Sequence, residues 1–236
     1  MKIAVISDIH SNKFALEKVL DDIKLNKCDL ICCLGDIFGY YPWAYETYEL
    51  LQEIEEMGLF IKGNHDVLVE KMGENESKLE YYSIALQNRE ILAKKGYLSW
   101  LSHLPISLVF QLKKYKIYLY HGTPNNPLEG RFYPDDNITY DWFPSNKEII
   151  LLGHTHYSLI KKIRADSWII NPGSVGQPRD GDTRASWTLL DLTNMSIENR
   201  RVEYPIMQAI EELNNMNWNN RAIKALQKNY KGNLKV

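Results

Sequence analysis

Aspartate and histidine recur along this chain in a fixed order: Asp8-x-His10, Gly35-Asp36, Gly63-Asn64-His65-Asp66, His121-Gly122 and Gly153-His154-Thr155-His156. Five of the six histidines fall inside these clusters, and each cluster follows a short apolar run. Together they offer three carboxylates, one amide oxygen and several imidazoles, but no thiolate. Such hard and borderline donors suit two divalent transition ions held side by side rather than a structural zinc site. Two adjacent ions with open positions are a device for attacking phosphate esters.

Distant clusters can form one site only if the intervening elements return the chain to one place. Residues 2–7, 29–34 and 59–62 are near-continuous apolar runs, as expected of strands buried on both faces. Between the first two, Leu16, Val19, Leu20 and Ile23 form a helical stripe, and Leu50, Ile54 and Met57 predict a second helix. This rhythm argues a parallel sheet with helical crossovers. Residues 78–102 read as helical with an interruption near Gly96. A hairpin then turns at Lys113-Lys114-Tyr115, and short strands follow at 149–152, 159–163, 168–170 and 187–190. Helices are expected near 206–214 and 219–229. The whole reads as one domain, 1–236, with a core over 1–205 and a C-terminal helical extension over 206–236. The clusters fall just after predicted strands, where the loops of an α/β sheet converge on one edge.

Composition limits the alternatives. The chain has 236 residues and a formal net charge of −2, so no basic field favours nucleic acid or membrane. No apolar run approaches the roughly 20 residues of a membrane span, and the N-terminus enters a strand directly, which implies a soluble cytoplasmic protein. Cys28, Cys32 and Cys33 surround one predicted strand, where neighbours point to opposite faces, so they read as buried apolar residues and not as a disulfide.

The five clusters, in this order, resemble the calcineurin-like metallophosphoesterase superfamily over residues 3–191, including the Asn171-Pro172-Gly173-Ser174 turn of its small bacterial phosphodiesterase-like members. The resemblance implies an α/β fold, a four-layer α-β-β-α sandwich with two mixed sheets face to face. It also implies that Asp8, His10 and His156 hold one ion and that Asn64, His121 and His154 hold the other. Asp36 would bridge them through its two carboxylate oxygens. Two divalent ions are the implied cofactors, manganese foremost, with iron, nickel or zinc as alternatives that the donor set accepts equally. A hydroxide shared between the ions is the implied nucleophile. His65 would face the leaving-group oxygen, with Asp66 accepting its second ring N–H and fixing the tautomer. Asn64 and His65 would also contact substrate.

Other residues carry weaker signals. Arg179 could reach a substrate phosphate or pair with Asp180 or Asp182. Ser174 reads as a turn former, because a two-metal site needs no serine nucleophile. His103 reads as a helix-end residue. Lys224, Lys228, Lys231 and Lys235 read as a solvated helix face, so specific nucleic-acid binding is not expected. The segment Gly39-Tyr40-Tyr41-Pro42-Trp43 and the loop Asn125–Trp142, with Arg131, Phe132, Tyr133, Tyr140 and Trp142, offer aromatics to a pocket or to the core. Related small members often carry glycine where Tyr41 stands. The expected activity is metal-dependent phosphoester hydrolysis, a phosphodiesterase first and a phosphomonoesterase or protein phosphatase second. A non-catalytic scaffold of the same fold, like the retromer subunit, is the third reading; the complete ligand set argues against it.

Overall fold

The computed structural model describes residues 1–71, 80–137, 142 and 144–232. Two five-stranded mixed sheets stack face to face. In the first, β1 (Lys2–Ile6), β2 (Leu30–Cys33) and β3 (Gly58–Phe60) run parallel, and β9 (Ala185–Asp191) and β10 (Ser196–Val202) extend it antiparallel in the order β10-β9-β1-β2-β3. In the second, β4 (Ser107–Leu112), β5 (Tyr115–Tyr120), β6 (Glu148–Leu151), β7 (Ser158–Arg164) and β8 (Ser167–Pro172) lie in the order β4-β5-β6-β8-β7, with β5, β6 and β8 parallel.

Strand alternation divides the interior into layers. Ile3, Val5, Cys32 and Leu34 face the second sheet and meet Ile117, Leu119, Ile149, Leu151 and Ile170. Ala4, Ile6, Ile31 and Cys33 point the other way, beneath a helical layer. That layer comprises α1 (Lys13–Leu25), α2 (Ala44–Gln52), α3 (Asn64–Lys71), α4 (Glu80–Lys95), α5 (Leu98–His103), α6 (Ile206–Asn215) and α7 (Asn220–Gly232). The expected stripe is the buried face of α1, whose Asn12 side chain accepts the N–H of Ala15 as an N-cap. On the outer face of the second sheet, Phe132 and Trp142 pack against Ile150, Leu152, Leu159 and Ile169, so loop residues cover this side among the described residues.

Three local expectations are corrected. Helix α2 stops at Gln52, and Ile54 and Met57 fall beyond it, the latter in a 3₁₀ turn. Glu53, Glu55 and Glu56 would crowd the negative end of the helix dipole if it continued. Tyr115 belongs to β5, buried, rather than to the hairpin turn. Strand β10 has no counterpart in the apolar pattern because only Ile197 and Val202 stand among five polar residues. It is an edge strand held by its register with β9 and by Arg200 to Asp22 at 2.9 Å. The helices expected near 206–214 and 219–229 are α6 and α7; Lys224 is exposed on α7, whereas Lys235, like Tyr140, lies outside the described residues.

Cys32 and Cys33 point to opposite faces and all three cysteines are buried and free. Burial raises the Cys28 thiol to about 11 and Cys32 to about 12. Because the thiolate is the reactive form, the folded protein should release almost no thionitrobenzoate from Ellman's reagent near pH 8. Three equivalents should appear only after denaturation. Rapid reaction of one thiol in the folded protein would contradict this packing.

Candidate metal centre

Every expected ligand loop leaves the carboxyl end of a strand. Asp8 and His10 follow β1, Asp36 follows β2, and Asn64 opens α3 just after β3. On the other sheet His121 follows β5, and His154 and His156 follow β6. The seam between the sheets therefore brings together residues separated by up to 148 positions, and backbone hydrogen bonds fix the loops to one another. Asp8 N donates to Gly35 O at 3.0 Å, His10 N to Asp36 O at 2.9 Å and Gly153 N to His121 O at 2.9 Å. Gly35 and Gly63 lie back to back: a Cβ at Gly35 would stand 2.3 Å from the Gly63 nitrogen, and one at Gly63 would stand 2.1 Å from Asp36 Oδ1. No larger residue fits either place.

Five of the seven expected ligand residues sit in the left-handed region that side chains avoid: Asp8, His10, Asp36, His154 and His156, with φ between 50° and 63°. Each such placement costs on the order of 1 kcal/mol, and strain of this kind persists where the surrounding structure enforces it. Here the enforcement comes from the loop-to-loop hydrogen bonds.

The donor atoms form two groups and an overlap between them. Asp8, His10 and His156 converge in the first, Asp36, His121 and His154 in the second, and His10, Asp36 and His65 form a third set that shares a residue with each. Within the first, Asp8 Oδ1 lies 3.3 Å from His156 Nε2 and 3.8 Å from His10 Nε2, and the two imidazole nitrogens are 3.1 Å apart. Within the second, His121 Nε2 lies 3.3 Å from Asp36 Oδ2 and 3.0 Å from Asn64 Oδ1. Asp36 Oδ2 also faces His10 Nε2 at 3.6 Å, so this one oxygen looks into both groups.

Hydrogen-bond direction reveals what these atoms offer. His121 Nδ1 stands 2.9 Å from Leu34 O, and His156 Nδ1 2.6 Å from Gln177 O. A carbonyl only accepts, so Nδ1 carries a proton in both rings, and in the neutral imidazole that a metal requires Nε2 turns its lone pair inward. Lone pairs of nitrogen, carboxylate and amide oxygen thus converge with little hydrogen between them, and Asp8 Oδ1 is fully buried with no hydrogen-bond partner. Such an arrangement asks for a cation. The donor set of carboxylate, imidazole and amide fits a divalent transition metal in each group.

The electrostatics agree. Burial alone would raise Asp8, but the facing His156 imidazole outweighs it and holds the carboxyl below its ordinary range. Asp36 is likewise held well below, with His121 and His65 overcoming burial. Burial presses His121 downward, yet the attraction of Asp36 lifts it to about 9, so without a cation a proton occupies the inward Nε2 and a metal would take its place. Burial and the neighbouring His121 hold His154 down at about 4. The pair of carboxylates keeps its negative charge and draws positive charge to the centre.

Two individual residues are arranged otherwise than expected. Only one oxygen of the Asp36 carboxylate, Oδ2, faces the imidazoles, and Oδ1 accepts the His65 backbone N–H at 2.8 Å. That N–H belongs to the first turn of α3, where amides have no partner within the helix. Asp66 does not take the His65 ring proton. Its carboxylate accepts the backbone N–H groups of Ile37, Phe38 and Gly63 at 3.2, 3.0 and 2.9 Å. Successive residues of a helix do not face each other, so Asp66 braces the loop after β2 while the His65 side chain turns to the pocket. Burial and the neighbouring Asp36 raise the Asp66 carboxyl to about 7.

A cavity of about 400 Å³ opens over the centre, with Asp36, Asn64, His65, His154 and His156 at its base. Tyr40, Arg179, Glu129, Arg131 and Tyr133 complete its lining. Of the expected aromatics, Tyr40 and Tyr133 line this pocket, whereas Tyr41 and Trp43 are core residues. Arg179 donates to the Tyr40 hydroxyl at 3.1 Å; Asp180 and Asp182 pair instead with Arg201 and Arg184. Ser174 Oγ donates to Asp8 O at 2.7 Å and accepts from Gln177 N, as a turn residue. His103 closes the last turn of α5 onto Ser99 O, away from the pocket.

Sequence reasoning named Arg131 only as a member of the loop Asn125–Trp142, without a role, and missed Asn88. Arg131 Nε donates to His154 Nε2 at 3.2 Å, and its place in an irregular loop gave no periodic signal. Asn88, fully buried in α4, accepts from Ser11 Oγ at 2.7 Å and donates to Gly39 O and Tyr41 O. A polar side chain amid the apolar positions of a helix was the available clue.

If these residues hold ions, metal must stabilise the fold. Manganese at roughly 100 times its Kd should raise the unfolding midpoint of chelated protein by roughly 5–10 °C. Asp36→Asn should lose most of that increase, whereas His103→Ala should keep it. Equal increases in both variants, read by scanning calorimetry, would place the metal elsewhere.

Comparison with known proteins agrees with this geometry. Residues 1–195 match the model of the calcineurin-like phosphoesterase superfamily domain. A Methanocaldococcus jannaschii protein, described only as uncharacterised, is 36% identical over 229 residues, covering 89% of this chain and 91% of its own. The phosphodiesterase YfcE of Escherichia coli is 24% identical over 208 residues, covering 84% and 91%. The crystal structure of a metallophosphoesterase from Sphaerobacter thermophilus superimposes with a TM-score of 0.76 at 26% identity, over 97% of this chain and 100% of its own. Two stacked mixed sheets, a converging set of aspartate, histidine and asparagine donors, and a family match over most of the length lead to one conclusion: the chain belongs to the calcineurin-like phosphoesterase superfamily and is a phosphoesterase.

Proposed function

We propose that this phosphoesterase is a phosphodiesterase that works with two divalent cations. Asp8, His10 and His156 would hold one, and Asn64, His121 and His154 the other, with Asp36 Oδ2 between them. The observation that carries this reading is the inward convergence of lone pairs whose tautomers Leu34 O and Gln177 O fix. When bound, the cations would supply Lewis-acid activation of water and polarise the phosphoryl oxygens. Manganese is the foremost candidate, with iron, nickel or zinc as alternatives. The preference for diesters draws on the likeness to the E. coli phosphodiesterase.

The chain's own residues provide the rest. Asn64 contributes a neutral oxygen, so the second group carries less negative charge and tolerates an anionic substrate. Asp8 and Asp36 each hold one oxygen in place through a backbone amide, which fixes the other toward the histidines. Arg131 sits against His154, where it can meet a non-bridging phosphoryl oxygen. The His65 side chain borders the cavity and its ring packs edge-on against His10, with centroids 4.7 Å apart. There it can donate an N–H to the departing oxygen.

Two measurements test this. The manganese-loaded protein should cleave bis(p-nitrophenyl) phosphate with a kcat/KM at least about tenfold above that for p-nitrophenyl phosphate, a difference of roughly 1.4 kcal/mol in barrier. The reverse order would favour the phosphomonoesterase reading. His65→Asn should slow an alkyl diester by a clearly larger factor than an aryl diester at unchanged metal content, because an alkoxide needs the proton that a nitrophenolate does not. General acids contribute about 10²–10⁴-fold, so the difference should be measurable. Equal losses on both esters would assign His65 to phosphate positioning instead.

A further inference from the structure

We propose that Arg179, held in place by Tyr40, is the receptor for a second phosphoryl group on the leaving-group side, so that the preferred substrates have a departing half that is itself phosphorylated. This rests on the diesterase reading above and adds the substrate class to it.

The first observation is an uncompensated charge. Arg179 is followed in sequence by two acids, Asp180 and Asp182, yet neither neutralises it. Asp180 is bound by both terminal nitrogens of Arg201, and Asp182 by Arg184 at 2.7 Å. The Arg179 guanidinium is left with two neutral acceptors, the Tyr40 hydroxyl at 3.1 Å and Gln177 Oε1 at 3.5 Å. It lines the cavity and is exposed to it. A guanidinium kept from nearby carboxylates and presented to a pocket is arranged for an incoming anion.

The second observation is pre-organisation. The backbone of the Tyr40 loop is pinned at consecutive residues. Asn88 Nδ2 donates to Gly39 O and Tyr41 O at 3.2 and 3.1 Å, Trp218 Nε1 to Tyr40 O at 3.0 Å, and Tyr41 N to His10 O at 3.2 Å. The Tyr40 ring therefore lies fixed against His10 and His65, with centroids 4.2 and 4.8 Å apart. Its hydroxyl holds the guanidinium on the same side as His65. Binding an anion there requires little further ordering, which is where affinity is usually lost.

The third observation is place. The Tyr40 ring whose hydroxyl holds Arg179 packs against the ring of His65, the residue proposed to meet the departing oxygen, and all three line one cavity. A second anionic group is thus favoured beside His65, on the half of the substrate that departs.

A matched pair of diesters tests this: methyl p-tolyl phosphate, and methyl p-(phosphonomethyl)phenyl phosphate, whose phosphonate cannot be hydrolysed. The manganese-loaded protein should prefer the second by about 10- to 100-fold in kcat/KM, the range expected for a charge-assisted contact. Arg179→Gln should bring that ratio close to one, and Arg179→Lys should restore part of it. The product p-(phosphonomethyl)phenol should bind the unaltered protein, by calorimetry, and bind Arg179→Gln more weakly. Cleavage of neither ester would defeat the diesterase reading itself. Cleavage of both at equal rates would overturn the present inference alone. Proportional loss on both esters in Arg179→Gln would also overturn it, assigning Arg179 to the scissile phosphate.

Discussion

The structure depends on how two buried carboxylates divide their oxygens. Asp8 gives Oδ2 to the backbone N–H of His154, and Asp36 gives Oδ1 to that of His65. The remaining oxygen of each faces imidazoles. One half of each side chain thus orders the loop that carries another ligand, and the other half is left for a cation. This division makes the ligand set interdependent, because no carboxylate can turn without releasing a loop. It also accounts for the left-handed backbone at Asp8 and Asp36, which the loop-to-loop hydrogen bonds enforce.

The neutral groups complete the arrangement. His121 and His156 are oriented by main-chain carbonyls, Leu34 O and Gln177 O, on other loops. His121 belongs to the second sheet and Leu34 to the first, so the ring is oriented across the seam. The centre is therefore built from both sheets at once: the first group takes His156 and the second His121 and His154 from the second sheet.

Much of this was legible in the sequence, for identifiable reasons. The ligands stood out because each follows a strand, and parallel strands deliver their carboxyl ends to one edge. Helix α1 was legible because its apolar residues share one face. Strand β10 was not, since an edge strand of glutamate and arginine is held by backbone register and ion pairs, which leave no apolar period. The role of Asp66 was misjudged because adjacency to His65 says nothing of direction on a helix. The single facing oxygen of Asp36 was hidden too, since it depends on an unpaired amide at the start of α3. Arg131 and Glu129 reach the pocket from an irregular loop, where no periodicity applies.

Helices α6 and α7 lie beyond the segment that matches the family, yet Trp218 grips the Tyr40 carbonyl and Glu212 the Trp43 indole. The aromatic wall of the pocket is thus held in part by the end of the chain. A substitution at Trp218 or Glu212 would act on Tyr40 or Trp43 through one bond each, at a distance from every donor atom of the centre.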